Sequence, residues 1–381
     1  MKVKEKLKTF VPPSAHAFHN HVTASDSADR QILAQLENIS AQLPEISAQL
    51  AAVSKQLAES FAQIQQESKH IVWEGHDFEY NALVYGGFFE AVQNTDFEEK
   101  YLKLVNGLDE ESIETTNRII SRMQCCLARN EGIVPLDLFT QAEKDFFLFL
   151  QNEYFPSILK ISDNCYVYKQ YKLPINQFEP CVFLDKHGLM EMETPLEQLE
   201  DKDIIDAGGF IGDSVLILSP LTKRNVYTFE PISDNYNLMQ QTIAMNDVRN
   251  AVCEQMALGG GVNKTLTFNI AGSCSNQFAH DACAHENVPV TTLDDYVKKH
   301  DLNVGLIKVD LEGAEQDFLK GAKETIMTQK PVLLLSIYHN ADDFFHLKTI
   351  LESWNCGYQF KIHKGLDYCF YLETLLIAEA R

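Results

Sequence analysis

The segment that most constrains the fold of this chain is a short apolar run that ends in an acidic residue and a glycine-containing turn. The run is Asp203–Ala207, and the turn holds Gly208, Gly209 and Gly212 before a helical pattern begins. Such a run is typical of a buried strand, and glycines let a ligand or another backbone approach closely. The segment therefore predicts a strand-loop-helix unit of an open α/β fold, with a ligand site at the carboxyl end of the strand.

Acidic residues around this turn indicate which ligand it binds. Asp206, Asp213 and Glu230 would repel a pyrophosphate bound at the start of the helix, and the chain has no G-x-G-x-x-G pattern there. Carboxylates suit a ligand that carries a cationic amino group, a sulfonium and ribose hydroxyls. S-adenosylmethionine is such a ligand, and we expect it as the cofactor. The alternative is a strand-to-helix turn with a purely structural role.

A second apolar run, Leu306–Val309, leads into the acidic turn Asp310–Glu315. Side chains alternate along a strand, so Lys308, Asp310 and Glu312 are expected to project together at the carboxyl edge of the sheet. In the alternative interpretation, Lys308 and Asp310 form a buried ion pair and the glutamates only begin a helix.

A third buried run, Val332–Ile337, ends in Tyr338 and His339, two side chains that can orient or exchange protons. Since this strand follows Asp310 along the chain, His339 is a candidate catalytic residue. A structural role for this histidine is the alternative.

Together these segments resemble the FkbM family of S-adenosylmethionine-dependent methyltransferases over residues 200–345. The matching motifs are D-x-G-x-x-x-G at Asp206–Gly212, F-E-P at Phe229–Pro231, Asn246 after the next helix, I-K-x-D-x-E-G-x-E at Ile307–Glu315, and Y-H at 338–339. Phe210 departs from the family pattern, where Asn or Gly is more usual. The resemblance implies a seven-stranded Rossmann-like sheet of the class I methyltransferases and O-methylation of a sugar-like or glycan acceptor.

Roles follow from this placement. The candidate cofactor-binding residues are Asp206, Gly208, Gly209, Gly212, Asp213, Glu230, Met256 and Ala257. Glu230 is expected to bind the ribose hydroxyls, and Met256 with Ala257 to border the adenine.

The candidate catalytic residues are His339, Asp310 and Lys308, of which His339 or Asp310 would take the proton of the acceptor hydroxyl. The prediction includes no metal. As an alternative, Asp310, Glu312 and Glu315 could hold Mg²⁺ or Ca²⁺, since these ions prefer oxygen ligands.

Composition excludes several other classes. A net charge of −22 argues against nucleic acid as a partner, because phosphate binding needs clustered lysine and arginine. No run approaches the ~20 apolar residues of a membrane span. The nine cysteines include no C-x-x-C pair, and their odd number argues against a complete disulfide framework, so a cytoplasmic location is expected.

The N-terminal part predicts self-association. Residues 1–28 are expected to form a flexible tail, and residues 29–68 a coiled-coil helix in which apolar residues recur at steps of three and four between Ile32 and Ile64. Leucine at one seam position and Ile or Val at the other favour a homotrimer or homotetramer. Pro44 would interrupt the helix, and a helix folded back on its own chain is the alternative.

The rest of the chain divides into two regions. Residues 70–195 are expected to be a mainly helical accessory region with short strands near 166–192 that lead into the catalytic sheet. Residues 196–381 are expected to form the methyltransferase domain, with an extra strand at Thr265–Ile270, a helix at Asp342–Trp354 and a closing antiparallel hairpin. The aromatic cluster at 146–155 could bind an acceptor sugar, although such clusters are more often core.

Two further functions stay open on these residues. One is a nicotinamide-dependent oxidoreductase, which Asp206 and the missing glycine pattern disfavour. The other is a non-catalytic assembly protein that combines the coiled coil with a degenerate cofactor fold.

Overall fold

The structure is a computed structural model, which describes residues 76–261, 264–269 and 285–380 and six single positions nearer the N-terminus. The chain divides into two compact units, Met1–Val72 and Trp73–Arg381. The predicted flexible tail and the seam of the predicted coiled coil lie outside the described residues. Within residues 29–68 the described positions are all helical and exposed: Gln35, Asn38, Ala41, Gln42, Gln49 and Lys55.

The accessory region begins with helices, as predicted. These are α1 (His76–Tyr85), α2 (Phe88–Ala91), α3 (Phe97–Val105), α4 (Glu110–Arg129) and α5 (Gln141–Phe149). Asp109 caps α4 by accepting a hydrogen bond from the Ser112 amide, and Thr140 with Glu143 forms a capping box on α5. In the aromatic cluster at 146–155, Phe147 and Tyr154 are fully buried and belong to the core, whereas Phe155 is 39% exposed.

Three short strands then form a separate antiparallel sheet: β1 (Leu159–Ser162), β2 (Cys165–Tyr168) and β3 (Tyr171–Leu173). The expectation that strands at 166–192 lead into the catalytic sheet is wrong. Pro174 and Pro180 lack the N–H that a ladder needs, and the chain continues as the short helix α6 (Pro180–Phe183) and 3₁₀ turns. Asn246 of the catalytic domain joins this small sheet by bonding to both backbone groups of Lys172.

The catalytic domain alternates strands and helices. Its strands are β4 (Asp203–Ala207), β5 (Val226–Phe229), β6 (Ala251–Glu254), β7 (Ala257–Leu258), β8 (Lys264–Asn269), β9 (His285–Thr291), β10 (Val304–Val309), β11 (Val332–Ser336), β12 (Tyr358–Lys364) and β13 (Thr374–Ala380). Its helices are α7 (Asp213–Leu218), α8 (Ser233–Met245), α9 (Leu293–His300), α10 (Glu315–Gln329) and α11 (Ala341–Ser353).

Seven of these strands form one mixed sheet in the order β12-β13-β11-β10-β4-β5-β6, in which β13 is antiparallel to both neighbours. This confirms the predicted seven-stranded α/β sheet and its closing hairpin. The predicted extra strand is β8, which pairs with β9 in a second, three-stranded sheet. The predicted C-terminal helix is α11.

The central strands are buried on both faces. Ile205, Ile307 and Leu333 belong to one apolar cluster, whereas Ile204 and Leu306, one residue earlier, belong to the other. Alternation therefore supplies both cores, as is usual for parallel strands covered by helices. Among the described residues, no helix has the length and apolar character needed to cross a membrane.

Candidate active site

A row of polar side chains crosses the sheet at the carboxyl ends of its central strands. Lys308 on β10 pairs in register with Asp206 on β4, and Asp206 pairs with Thr228 on β5. Thr228 donates a hydrogen bond to Asp206 Oδ2 at 2.9 Å, and Lys308 Nζ lies 3.4 Å from Asp206 Oδ1. Register partners on parallel strands present their side chains on one face, so sheet pairing itself assembles this row.

Lys308 connects this row to the glycine loop and to Asp310. Its ammonium group donates a hydrogen bond to the Gly208 carbonyl at 2.8 Å and lies 3.9 Å from Asp310 Oδ2. Burial alone would lower the pKa of Lys308, but the nearby charges of Asp206, Asp310 and Asp213 raise it above its ordinary value. Lys308 is therefore a permanent cation among carboxylates.

The glycines are explained by close contacts. Gly208 has φ +90°, and a Cβ atom there would lie 1.9 Å from the Asp310 carbonyl oxygen. A Cβ atom on Gly209 would lie 2.1 Å from Thr228 Oγ1. Gly212 has φ +82° and packs against Met239 of α8. The loop is thus pressed onto the ends of β5 and β10, where only glycine fits.

Phe210 lies between these glycines and also has a left-handed backbone, with φ +42°. This is the position at which the sequence departs from the family pattern. A conformation of this kind costs a residue other than Gly, Asn or Asp roughly 1–2 kcal/mol. The Phe210 side chain offsets part of this cost, because it packs against the apolar cluster that contains Ile211 and Val215.

Asp213 is the first residue of α7 and is buried, as is its neighbour Ser214. Its carboxylate accepts a hydrogen bond from the Ser214 amide at 3.0 Å. Burial raises the pKa of Asp213 to about 7, although the charge of Lys308 acts in the opposite direction. The charges of Lys308 and Asp206 therefore both act on Asp213.

Glu230 follows β5 and is 5% exposed. Its Oε1 accepts a hydrogen bond from the Ile232 amide at 2.8 Å and lies 3.5 Å from Asn235 Nδ2. Burial raises the pKa of Glu230 to about 7, against these hydrogen bonds and one from the Phe210 amide. The Phe210 contact places Glu230 beside the glycine loop, one strand away from Asp206.

Met256 and Ala257 follow β6, the strand next to β5. Ala257 is buried and Met256 is half-buried. Both therefore lie at the carboxyl edge of the sheet, on the side of Glu230 away from Lys308.

Two of the predicted catalytic side chains, Asp310 and His339, lie next to each other, and Asp310 also faces Lys308. His339 Nε2 lies 3.2 Å from Asp310 Oδ1, and His339 Nδ1 lies 2.9 Å from Glu315 Oε1. Glu312 Oε2 is 3.8 Å from the same imidazole, and the Tyr338 hydroxyl is 3.4 Å from Asp310 Oδ1. Asp310, Glu312 and Glu315 come from the segment after β10, and His339 follows β11. We name these four residues the acidic cluster.

Charges within the acidic cluster shift its titration. Burial would lower the pKa of His339, but Glu315 and Glu312 raise it well above the ordinary value. Burial would raise the pKa of Asp310, but Lys308 and His339 hold it far below the usual range. These charges favour the protonated form of the imidazole and the ionised form of Asp310.

Sequence reasoning missed three groups near these side chains. His187, from the accessory region, is buried with Nε2 3.0 Å from Ser214 Oγ, and burial followed by the charge of Lys308 lowers its pKa to about 3. Asp343 and Glu373 also face the acidic cluster, and burial raises the pKa of each to about 8. Asp343 had a local signal in the sequence, because Asn340 is a helix-capping residue three positions earlier and accepts a hydrogen bond from the Asp343 amide. We find no sequence signal for the other two, which tertiary packing brings in.

Comparison with known proteins identifies the domain that this site belongs to. A family model described as the methyltransferase FkbM domain matches residues 206–360. The match starts at Asp206 and includes the glycine loop, Glu230 and the whole acidic cluster.

Individual proteins that resemble this chain have low sequence identity to it. The chain is 27% identical over 179 residues to methyltransferase 1 of the fungus Beauveria bassiana, covering 40% of this chain and 72% of that protein. Among solved structures, the methyltransferase FkbM from Methylobacillus flagellatus KT has a TM-score of 0.45 at 19% identity, with 74% of this chain and 58% of that chain covered. An rRNA methylase from Streptococcus thermophilus has a TM-score of 0.32 at 14% identity, covering 49% of this chain and 91% of that chain.

Proposed function

We propose that this S-adenosylmethionine-dependent methyltransferase, whose FkbM domain spans residues 206–360, methylates a hydroxyl group of a sugar-like acceptor. The observation that carries the proposal is the position of Asp310. This carboxylate is 22% exposed and lies at the sheet edge between Lys308 and His339. A hydroxyl is a poor nucleophile until its proton is removed, and an ionised carboxylate can accept that proton.

In this proposal the cofactor lies over the carboxyl ends of β4, β5 and β6. Glu230 accepts hydrogen bonds from the ribose hydroxyls, and Met256 with Ala257 borders the adenine. Gly208, Gly209 and Gly212 let the loop backbone approach the cofactor, while Asp213 supplies negative charge for its cationic end. Asp206 is fully buried and bonded to Thr228. Its role is to hold Lys308, and through Lys308 the loop carbonyl.

The chemical step is a displacement at the methyl carbon. A bond forms between the acceptor oxygen and the methyl carbon, the bond from that carbon to sulfur breaks, and S-adenosylhomocysteine leaves as a neutral thioether. The hydroxyl proton passes to Asp310. Much of the acceleration comes from alignment of oxygen, carbon and sulfur, since the positive charge disperses during transfer.

Of the two residues predicted as the base, the structure favours Asp310. The carboxylates around His339 favour its protonated form, and that form cannot accept a proton. Its role is to orient Asp310 and Glu315. Lys308 is a positioning residue in the same sense.

A sugar-like acceptor agrees with the polar character of this edge. Carboxylates and the Tyr338 hydroxyl can each bind a sugar hydroxyl, and Glu373 and Tyr338 hydrogen-bond next to Asp310. Acceptor choice is expected to involve the accessory region, which places His187 beside the same edge.

The function is tested in two steps. Calorimetry with S-adenosylmethionine, S-adenosylhomocysteine and NAD should show binding of the first two only. Purified protein with methyl-labelled cofactor and a panel of glycosides and matched amino sugars should then give products that are one methylene unit heavier, with the label on oxygen. Label found only on nitrogen, or affinity for NAD alone, would contradict the proposal.

A further inference from the structure

We propose that Asp310, Glu315 and His339 form a binding site for a divalent transition-metal cation at the acceptor edge of the sheet. Binding of the ion does not depend on the proposed function, but its role next to the acceptor hydroxyl does. The sequence alternative assigned Asp310, Glu312 and Glu315 to a metal. In the structure, His339 takes the place of Glu312.

The geometry of the three side chains supports this assignment. Each residue offers one ligand atom, and these atoms all lie within 4.8 Å of one another. Asp310 follows β10, Glu315 is the first residue of α10, and His339 follows β11. Three rigid elements therefore converge on one point, as a preformed metal site requires.

Buried atoms without hydrogen bonds supply a second, independent observation. The His339 side chain is 9% exposed and that of Glu315 is fully buried. Both ring nitrogens of His339 and Glu315 Oε2 lack a hydrogen-bond partner. His339 lies within 3.2 Å of the carboxylates, but at angles that do not make hydrogen bonds. Buried polar atoms are nearly always satisfied, and a metal ion here would satisfy one ring nitrogen of His339 and Glu315 Oε2.

The balance of charge also favours a cation. Three carboxyl groups of the acidic cluster surround His339, which carries at most one positive charge. Lys308 is shared with Asp206 and Asp213. A divalent ion would supply the missing positive charge, and it would bind the neutral imidazole through a ring nitrogen.

The donor atoms indicate the class of ion. Two carboxylate oxygens and one imidazole nitrogen suit a first-row transition ion such as Mn²⁺, whereas Mg²⁺ and Ca²⁺ prefer oxygen ligands alone. Three protein ligands leave positions open for the acceptor oxygen. A bound ion with Asp310 Oδ1 among its ligands would polarise that hydroxyl directly, while Asp310 Oδ2, on the side of Lys308, would stay available for the proton.

The test measures binding of Mn²⁺ itself, without cofactor or acceptor. Chelator-treated full-length protein is titrated with MnCl₂ by calorimetry, and free Mn²⁺ is followed by electron paramagnetic resonance. We expect one Mn²⁺ per chain that MgCl₂ displaces poorly. His339→Ala and Glu315→Gln should each weaken binding by about tenfold or more, since even partners of metal ligands are worth 10–100-fold.

Asp342→Asn is the matched control, because Asp342 begins the same helix as Asp343 but is exposed and pairs only with His346. It should leave Mn²⁺ binding unchanged. Absence of binding, or equal weakening in all three variants, would overturn the site and leave only nonspecific attraction to a chain of net charge −22. Binding of S-adenosylmethionine, measured on the same samples, shows whether a variant has kept its fold. The same measurement separates failure of the metal site from failure of the proposed function.

Discussion

Lys308 and Asp206 are register partners on adjacent parallel strands, and their charged groups lie 3.4 Å apart in the interior of the protein. The same ammonium group binds the Gly208 carbonyl and faces Asp310. One buried cation therefore links β4, the glycine loop and Asp310.

Removal of this cation should destabilise the fold. Lys308→Met would leave Asp206 and Asp310 without their main counter-charge, and breaking a buried pair in this way costs about 3–5 kcal/mol. Urea unfolding at pH 8 measures the loss. Adding Asp206→Asn to Lys308→Met should recover part of it, because the uncompensated carboxylate is removed. A double variant as unstable as the sum of the single ones would show that the two residues do not interact.

Gly208→Ala should be far more costly than Gly107→Ala. Both glycines have positive φ, +90° and +75°, so each alanine meets the backbone cost of about 1–2 kcal/mol. A Cβ atom at Gly107 has no neighbour within 4 Å, whereas at Gly208 it would overlap the Asp310 carbonyl. The extra overlap adds about 1–3 kcal/mol or displaces the loop. Equal unfolding free energies for the two variants would show that the loop is not tightly packed.

Glu230 should make cofactor affinity depend on pH. Its pKa in the folded protein is about 7, raised from 4.5 by burial, and the ionised form is the better acceptor for ribose hydroxyls. Affinity for S-adenosylmethionine should therefore rise as pH increases through about 7. Glu230→Gln should bind more weakly and lose this dependence, as calorimetry between pH 5.5 and 8.5 would measure.

Without the cofactor, the raised pKa of Glu230 has the opposite effect: it makes the stability of the folded protein fall as pH increases. A carboxyl with a raised pKa holds more protons in the folded state than in the unfolded state between pH 4.5 and about 7. Its contribution is full below pH 4.5 and is lost as pH rises through 7. Thermal unfolding of Glu230→Gln should thus show a smaller loss of stability between pH 5 and 8 than the parent. Parallel curves would indicate a normal carboxyl.

Asp310→Asn should abolish most of the turnover while cofactor binding persists. A general base is typically worth 10²–10⁴-fold, so kcat should fall by about that factor. Tyr338→Phe removes a hydroxyl that lies 3.4 Å from Asp310, a weak contact, and should change kcat by less than about tenfold. Initial rates with labelled cofactor give both values. Unchanged turnover in Asp310→Asn would exclude Asp310 as the base.

Much of the fold can be read from local patterns in the sequence. The apolar runs at 203–207, 306–309 and 332–337 have the length and composition of buried parallel strands, and a strand covers most or all of each. The glycine turn was also evident in the sequence. The structure explains the glycines, because φ is +90° at Gly208 and +82° at Gly212, values that favour glycine. The accessory region was predicted less well, since its short strands pair only with each other.

The sequence by itself determined which side chains stand at the ends of the strands, because alternation and chain order place Asp206, Glu230, Asp310 and His339 at one edge of a parallel sheet. Only the tertiary structure decided how they are used. It made Lys308 a shared counter-ion, placed His339 between carboxylates, and brought in His187 from a region with no motif. Periodicity along a strand is local, whereas burial, separation and charge balance depend on neighbours that are distant along the chain.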